Sequence, residues 1–132
     1  MEAKISYLQM IQAVIERMAR NSFSLKEWTV LLISALIALD MAKTEWRLVY
    51  IAYFPGLSFW ILDGYYLWQE RLYRKLYDTA RVLDEKEIDF GLGTSQFIAT
   101  TPTWFATIFS KTLLVFYLSA MIVITIAIFA LN

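Results

Sequence analysis

The sequence predicts an all-α membrane protein: an N-terminal amphipathic helix followed by three transmembrane helices, with helices two and three extended into a cytosolic helical layer. Three observations predict it. Of the 132 residues, 59% are hydrophobic, and the mean hydropathy is +0.52, which suits one compact membrane unit with no separate soluble domain. The run TLLVFYLSAMIVITIAIFAL at 112–131 has no charge, and at 1.5 Å per residue it extends about 30 Å, the thickness of a hydrocarbon layer. The polar stretches at 8–18 and 63–81 show helical spacings.

The first element, KISYLQMIQAVIERMARNSFSLKEW, places Leu8, Ile11, Ile15 and Met18 on a 3–4 seam, the pattern of a helix that packs along one face. Its polar face mixes Glu16 with Arg17 and Arg20. That favours packing against protein over a simple lipid-surface helix. The first 20 residues lack the continuous apolar core of a signal peptide. Ser24-Leu25-Lys26-Glu27 matches an S-x-x-E capping box, so the expectation is a cytosolic or interfacial helix over 1–22 and a new helix, span one, over 24–42. Its apolar centre, WTVLLISALIAL, is short, with Lys26 and Glu27 reaching the interface at one end and Asp40 at the other. A buried hairpin arm is the alternative for this segment. Ser34, Ala38 and Ala42 fall four apart. Small residues at that spacing let helices approach closely, inside one subunit or between subunits.

Span two is expected over 46–69, with Asp63 as its one interior charge. Pro55-Gly56 predicts a kink, because proline lacks a donor and crowds the preceding turn. Counted from Trp46, Asp63 lies about 25 Å along the helix, near the inner interface. A carboxylate there needs water, a neighbouring helix, a pathway or an intersubunit partner. Beyond it the helix is expected to continue over 70–90. Asp63, Glu70, Arg74, Asp78 and Arg81 form one inclined stripe, beside Arg71, with i,i+4 pairs Glu70–Arg74 and Arg74–Asp78. The opposite strip, Leu72, Leu76, Ala80 and Leu83, is apolar and requires a partner. DEKEID at 84–89 reads as a solvated helix end, and FGLGTS at 90–95 as a turn within a loop at 91–101. Thr101-Pro102 predicts an N-cap and first helical residue, starting one helix over 102–132 that contains span three.

Orientation follows from basic residues. Lys4, Arg17, Arg20, Lys26, Arg71, Arg74, Lys75, Arg81, Lys86 and Lys111 fall on one side, against Lys43 and Arg47 on the other. The positive-inside rule then predicts a cytoplasmic N-terminus and an external C-terminus. Trp28, Trp46, Tyr50, Tyr66 and Trp68 lie near the expected boundaries, where amphipathic rings are favoured.

Twelve basic and twelve acidic residues cancel, so no nucleic-acid partner is indicated. With no cysteine and no histidine, there are no disulfides, thiol chemistry, usual zinc sites or imidazole acid–base pairs. No catalytic, cofactor-binding or metal-binding residues are assigned, and no enzyme is expected. Spans one and three have uncharged centres, which argues against an ion-coupled transporter or proton pump.

IQAVIERMARNSFSLKEW (11–28), the apolar span and FWILDGYYLWQERLYRKLYD (59–78) resemble the RipA-type family of small bacterial octameric membrane proteins. A looser similarity in size and plan links the chain to the membrane accessory proteins of type VI-B CRISPR systems. The matching blocks cover about half the chain, and none is a catalytic signature. The resemblance implies a bacterial inner-membrane location and a ring-shaped homo-oligomer, an octamer by family analogy. Two functions then compete. One is a pore, with Asp63, Asp40 and the 69–81 strip as candidate polar residues. The other is a non-conducting scaffold that docks a cytosolic protein on the 70–100 collar.

Overall fold

The computed structural model describes residues 2–43 and 47–131. It consists of α1 (Glu2–Lys43), α2 (Arg47–Ile51), α3 (Tyr53–Ala80), two short 3-10 turns (Glu85–Glu87 and Ser95–Thr100), α4 (Trp104–Ile108) and α5 (Lys111–Leu131). No strand occurs among the described residues, in line with the all-α expectation. Two helices, α1 through Ala42 and α5, are long and apolar enough to cross a membrane. The expected boundary at Trp46 and the side chains of Lys43 and Arg47 lie outside the described residues.

α1 does not stop at Asn21. It is a single helix of 42 residues, about 63 Å long. The capping-box signature is silent because nothing in Ala19–Glu27 ends a helix: the stretch has no proline and no glycine. Ser22 and Lys26 are engaged instead by a neighbouring helix.

The middle segment is broken once. Ala52 separates α2 from α3, three residues before Pro55. The ring of Pro55 clashes with the carbonyl of residue i−4, here Ile51, and cannot donate to it. The helix therefore restarts at Tyr53, where the missing donor falls in a first turn. Gly56 then lets α5 come close: a Cβ there would meet the Met121 Cε at 2.7 Å. Val49, Ala52, Ile33, Ile124 and Ile128 form one apolar core where α2 and the start of α3 lie between α1 and α5.

α3 ends at Ala80, not near residue 90. Its apolar strip finds the partner the sequence called for. Leu76 and Ala80 pack with Tyr7, Ile11 and Ile15 of α1 and with Ile88, while Leu83, Leu92 and Phe97 close the edge. The chain folds back over this second core because Tyr7 holds it. The Tyr7 hydroxyl donates to the Gly91 carbonyl, and its ring meets Phe90 edge-on at 5.4 Å. Phe90, rather than either nearby glycine, takes the left-handed conformation, φ 59°, which costs a bulky residue energy that the ring contact helps to offset. Burial, with the charge of Asp89 as a smaller cause, pushes the Tyr7 phenol above its ordinary pKa.

The last segment is two helices rather than one. Thr103, not Thr101, caps α4 by accepting from the Ala106 N–H at 3.1 Å. Thr101 is extended (φ −111°, ψ 143°), the conformation proline imposes on the residue before it. The break at Phe109–Ser110 has no sequence breaker. It is set by packing: the Trp60 indole donates to the Ile108 carbonyl at 2.8 Å, and Trp104 donates to the Ile61 carbonyl at 3.1 Å, fastening α4 along α3.

Gly64 makes that contact possible. A Cβ there would lie 2.6 Å from Ile108 Cγ1 and 3.3 Å from its Cα. Gly64→Ala is expected to push α4 off α3 and to cost about 1–3 kcal/mol, as overpacking does. A lowered thermal midpoint in mild detergent, with altered tryptophan emission from Trp60 and Trp104, is the readout. An unchanged midpoint and spectrum would mean α4 is not docked on Gly64.

Candidate functional site

The candidate site is built around Asp63, which is completely buried. α3 places it where α1 and α5 converge. Lys26 of α1 binds Asp63 Oδ2 at 2.6 Å, and the Tyr117 hydroxyl of α5 donates to the same oxygen at 2.8 Å. Ser22, one turn before Lys26, donates to Oδ1. Lys26 also donates to Ser22 Oγ at 2.9 Å. Three helices thus meet at one carboxylate, and each supplies what the others lack.

Aromatic rings seal the cluster. Trp60 stacks on Tyr117, with centroids 5.9 Å apart and planes within 3°. The Lys26 ammonium lies 5.9 Å from the centre of the Phe116 ring, within cation–π range. Thr29, also buried, returns its hydroxyl to the Leu25 carbonyl at 2.7 Å, so it leaves no polar demand beside the pair.

This arrangement neutralises the carboxylate and fixes its position. An isolated carboxylate in an apolar layer is costly, and a buried pair repays that cost only with close geometry and further hydrogen bonds. All of these are present. Asp63 was expected at an interface, bonded to a neighbouring helix, on a pathway or across subunits. Within one chain its partners are α1 and α5, so the charge is satisfied without a second copy.

The other sequence-selected residues separate from it. Asp40 is buried near the far end of α1, and its Oδ1 has no hydrogen-bond partner among the described residues. Glu70 pairs with Arg74 at 3.1 Å, as the i,i+4 spacing predicts. Asp78 does not pair with Arg74. It meets Arg81 at 3.7 Å, since Arg74 is already taken up by Glu70 one turn earlier. Both groups of the Asp78–Arg81 pair are more than half exposed, so that pair contributes little. Arg71 is half-buried and Ser34, Ala38 and Ala42 are exposed; among the described residues the small-residue stripe is not covered by packing within the chain.

Sequence reasoning passed over Lys26, Ser22 and Tyr117 as partners. A signal for them exists. Lys26 and Asp63 lie at the same end of neighbouring antiparallel apolar segments, and Tyr117 carries a hydroxyl inside an otherwise hydrocarbon-rich run.

Among the described residues no cluster of histidine, cysteine, aspartate or glutamate is arranged to hold a metal ion. No protein-family model matches the chain, and no curated protein or solved structure matches it.

Removing one partner from a buried ion pair costs about 3–5 kcal/mol because it strands the other charge. Asp63→Ala and Lys26→Ala should each fall in that range, and the double variant should lose much less than the sum. Thermal or denaturant unfolding of the four proteins in detergent measures the coupling. Strict additivity would show that the two charges do not interact.

Proposed function

We propose that this chain is the subunit of a ring-like homo-oligomer in a bacterial inner membrane, with the N-terminus cytoplasmic, three crossings and the C-terminus outside. The first and third crossings are the apolar half of α1 and α5; the second is α2 with the first turns of α3. One observation carries the second crossing. Val49 and Ala52 are wholly buried against Ile33, Ile124 and Ile128, so this segment lies in the same slab as the two long apolar helices. If those helices cross a bilayer, the segment between them crosses too.

Assembly is supported by what the single chain leaves bare. Ser34, Ala38 and Ala42 face outward on α1, and large apolar side chains remain exposed on both flanks, Phe23 and Leu31 of α1 and Phe105 of α4 among them. Beyond the slab, the first half of α1 and the second half of α3 form a helical collar with its own core. A ring of such subunits forms a pore or channel around its axis, with the strip from Glu70 to Arg81 as the charged wall of the collar.

A second reading is favoured by a specific observation. Asp40 and Asp63, the aspartates among the apolar segments, are both buried in the subunit and offer no charge to a passage. In that reading the ring does not conduct, and the collar over 70–100 docks a cytosolic protein.

Two measurements separate these. Native mass of the detergent-solubilised protein should give a closed multiple of the 15.4 kDa subunit. Stepwise current from the verified oligomer in planar bilayers is the expected outcome for a pore; an oligomer that stays silent across the applied voltage range decides for the scaffold. A mass equal to one subunit would overturn both.

A further inference from the structure

Among the apolar surfaces left unfilled on the described residues, two point in different directions. The first is a groove of about 620 Å³ on the α1–α5 flank, lined by Phe23, Lys26, Glu27, Val30, Leu31 and Phe116. The second flank is made by α4, where Phe105 is 73% exposed at the edge of an apolar cleft that includes Trp60, Trp104 and Phe109. Both indole N–H groups in this cleft are already spent on the Ile108 and Ile61 carbonyls. What covers it needs no polar partner there.

The two surfaces share one level. The Lys26–Asp63 pair sets α1 and α3 in register, so the first groove lies level with Asp63. Trp104 is bonded to Ile61 and Ile108 packs on Gly64, which puts Phe105 at that level as well. They face differently. At about 100° per residue, Gly64 and Ile61 are turned by about 100–160° from Asp63 around α3, and Asp63 is the side that meets α1.

Charge is complementary too. Glu27 lines the first groove and is exposed, with no ion-pair partner among the described residues. Lys111 follows Phe109 by two residues, is exposed, and is likewise unpaired. An unpaired carboxylate at the edge of an apolar layer calls for a cation, and the α4–α5 corner carries an unpaired one in Lys111.

We infer that a second copy of this chain fills the α1–α5 groove head-to-tail, inserting Phe105 between Phe23, Leu31 and Phe116 and setting its Lys111 beside Glu27. The inference rests on the homo-oligomeric reading and names its contact faces. Two different faces that fit each other make a heterologous contact, which closes into a ring when the rotation between copies permits. Each copy also covers its neighbour's bare Phe105.

The chain has no cysteine, so introduced thiols report without background. Leu31→Cys with Phe105→Cys, in native membranes with a short thiol cross-linker, should give a ladder of covalent multimers, while each single variant gives none. Glu27→Lys and Lys111→Glu should each lower the oligomer fraction several-fold, and the two together should restore it. Cross-linked dimers from Phe105→Cys alone would mean a two-fold contact and overturn the arrangement. An intact wild-type oligomer with no ladder from the double variant would also overturn it, leaving the groove to lipid and the assembly to other faces. A monomeric wild-type mass would instead overturn the oligomeric reading beneath it. A double charge reversal that stays weakened would remove the Glu27–Lys111 contact.

Discussion

The buried carboxylate of Asp63 is the constraint on which the rest of the structure depends. A charge placed among apolar helices must be met from several directions at once. Ser22 and Lys26 meet it from α1 and Tyr117 from α5. Sliding any of these helices by one turn, about 5.4 Å, would strand a charge or a hydroxyl. Apolar side chains alone tolerate such slippage, because one leucine resembles the next. The polar cluster therefore sets the register, and the hydrophobic contacts above and below it supply most of the burial.

That register explains why α1 is continuous. Lys26 must reach Asp63 from a helix that also delivers Ile11 and Ile15 to Leu76 and Ala80 more than a turn further along. A break near Asn21 would uncouple the two cores. The unbroken rod transmits the position of the slab to the collar, and α3 does the same alongside it. α4 follows from the same centre: Trp60 stacks on Tyr117 on one side and holds the Ile108 carbonyl on the other, so one indole links the ion-pair cluster to the last turn of α4.

What the sequence made legible was local and periodic. The seam at Ile11 and Ile15, the strip at Leu76 and Ala80, the uncharged run of α5 and the Glu70–Arg74 pair all follow from helical spacing. The errors arose where a local signal competed with a distant partner. Ser24–Glu27 looks like a helix start, yet Ser22 and Lys26 are drawn into a contact with residue 63. Arg74–Asp78 has the right spacing, but Arg74 was already engaged. The α4–α5 break carries no glycine or proline and is created by Trp60 and Trp104. Pro55 did mark a break, displaced by the reach of its ring to the carbonyl of Ile51.

The same physics separates satisfied from unsatisfied parts of the molecule. At Asp63, the central carboxylate already has two donors on Oδ2 and one on Oδ1. A site so fully satisfied has little left to offer a substrate or an ion. Its neighbours outside the cluster are the reverse: Glu27 and Lys111 are exposed and have no ion-pair partner among the described residues, and most of Phe105 is bare. Free energy is available at surfaces that remain unsatisfied, not in a core that is complete. The interior of this chain specifies its shape, and the surfaces left unsatisfied are the two flanks.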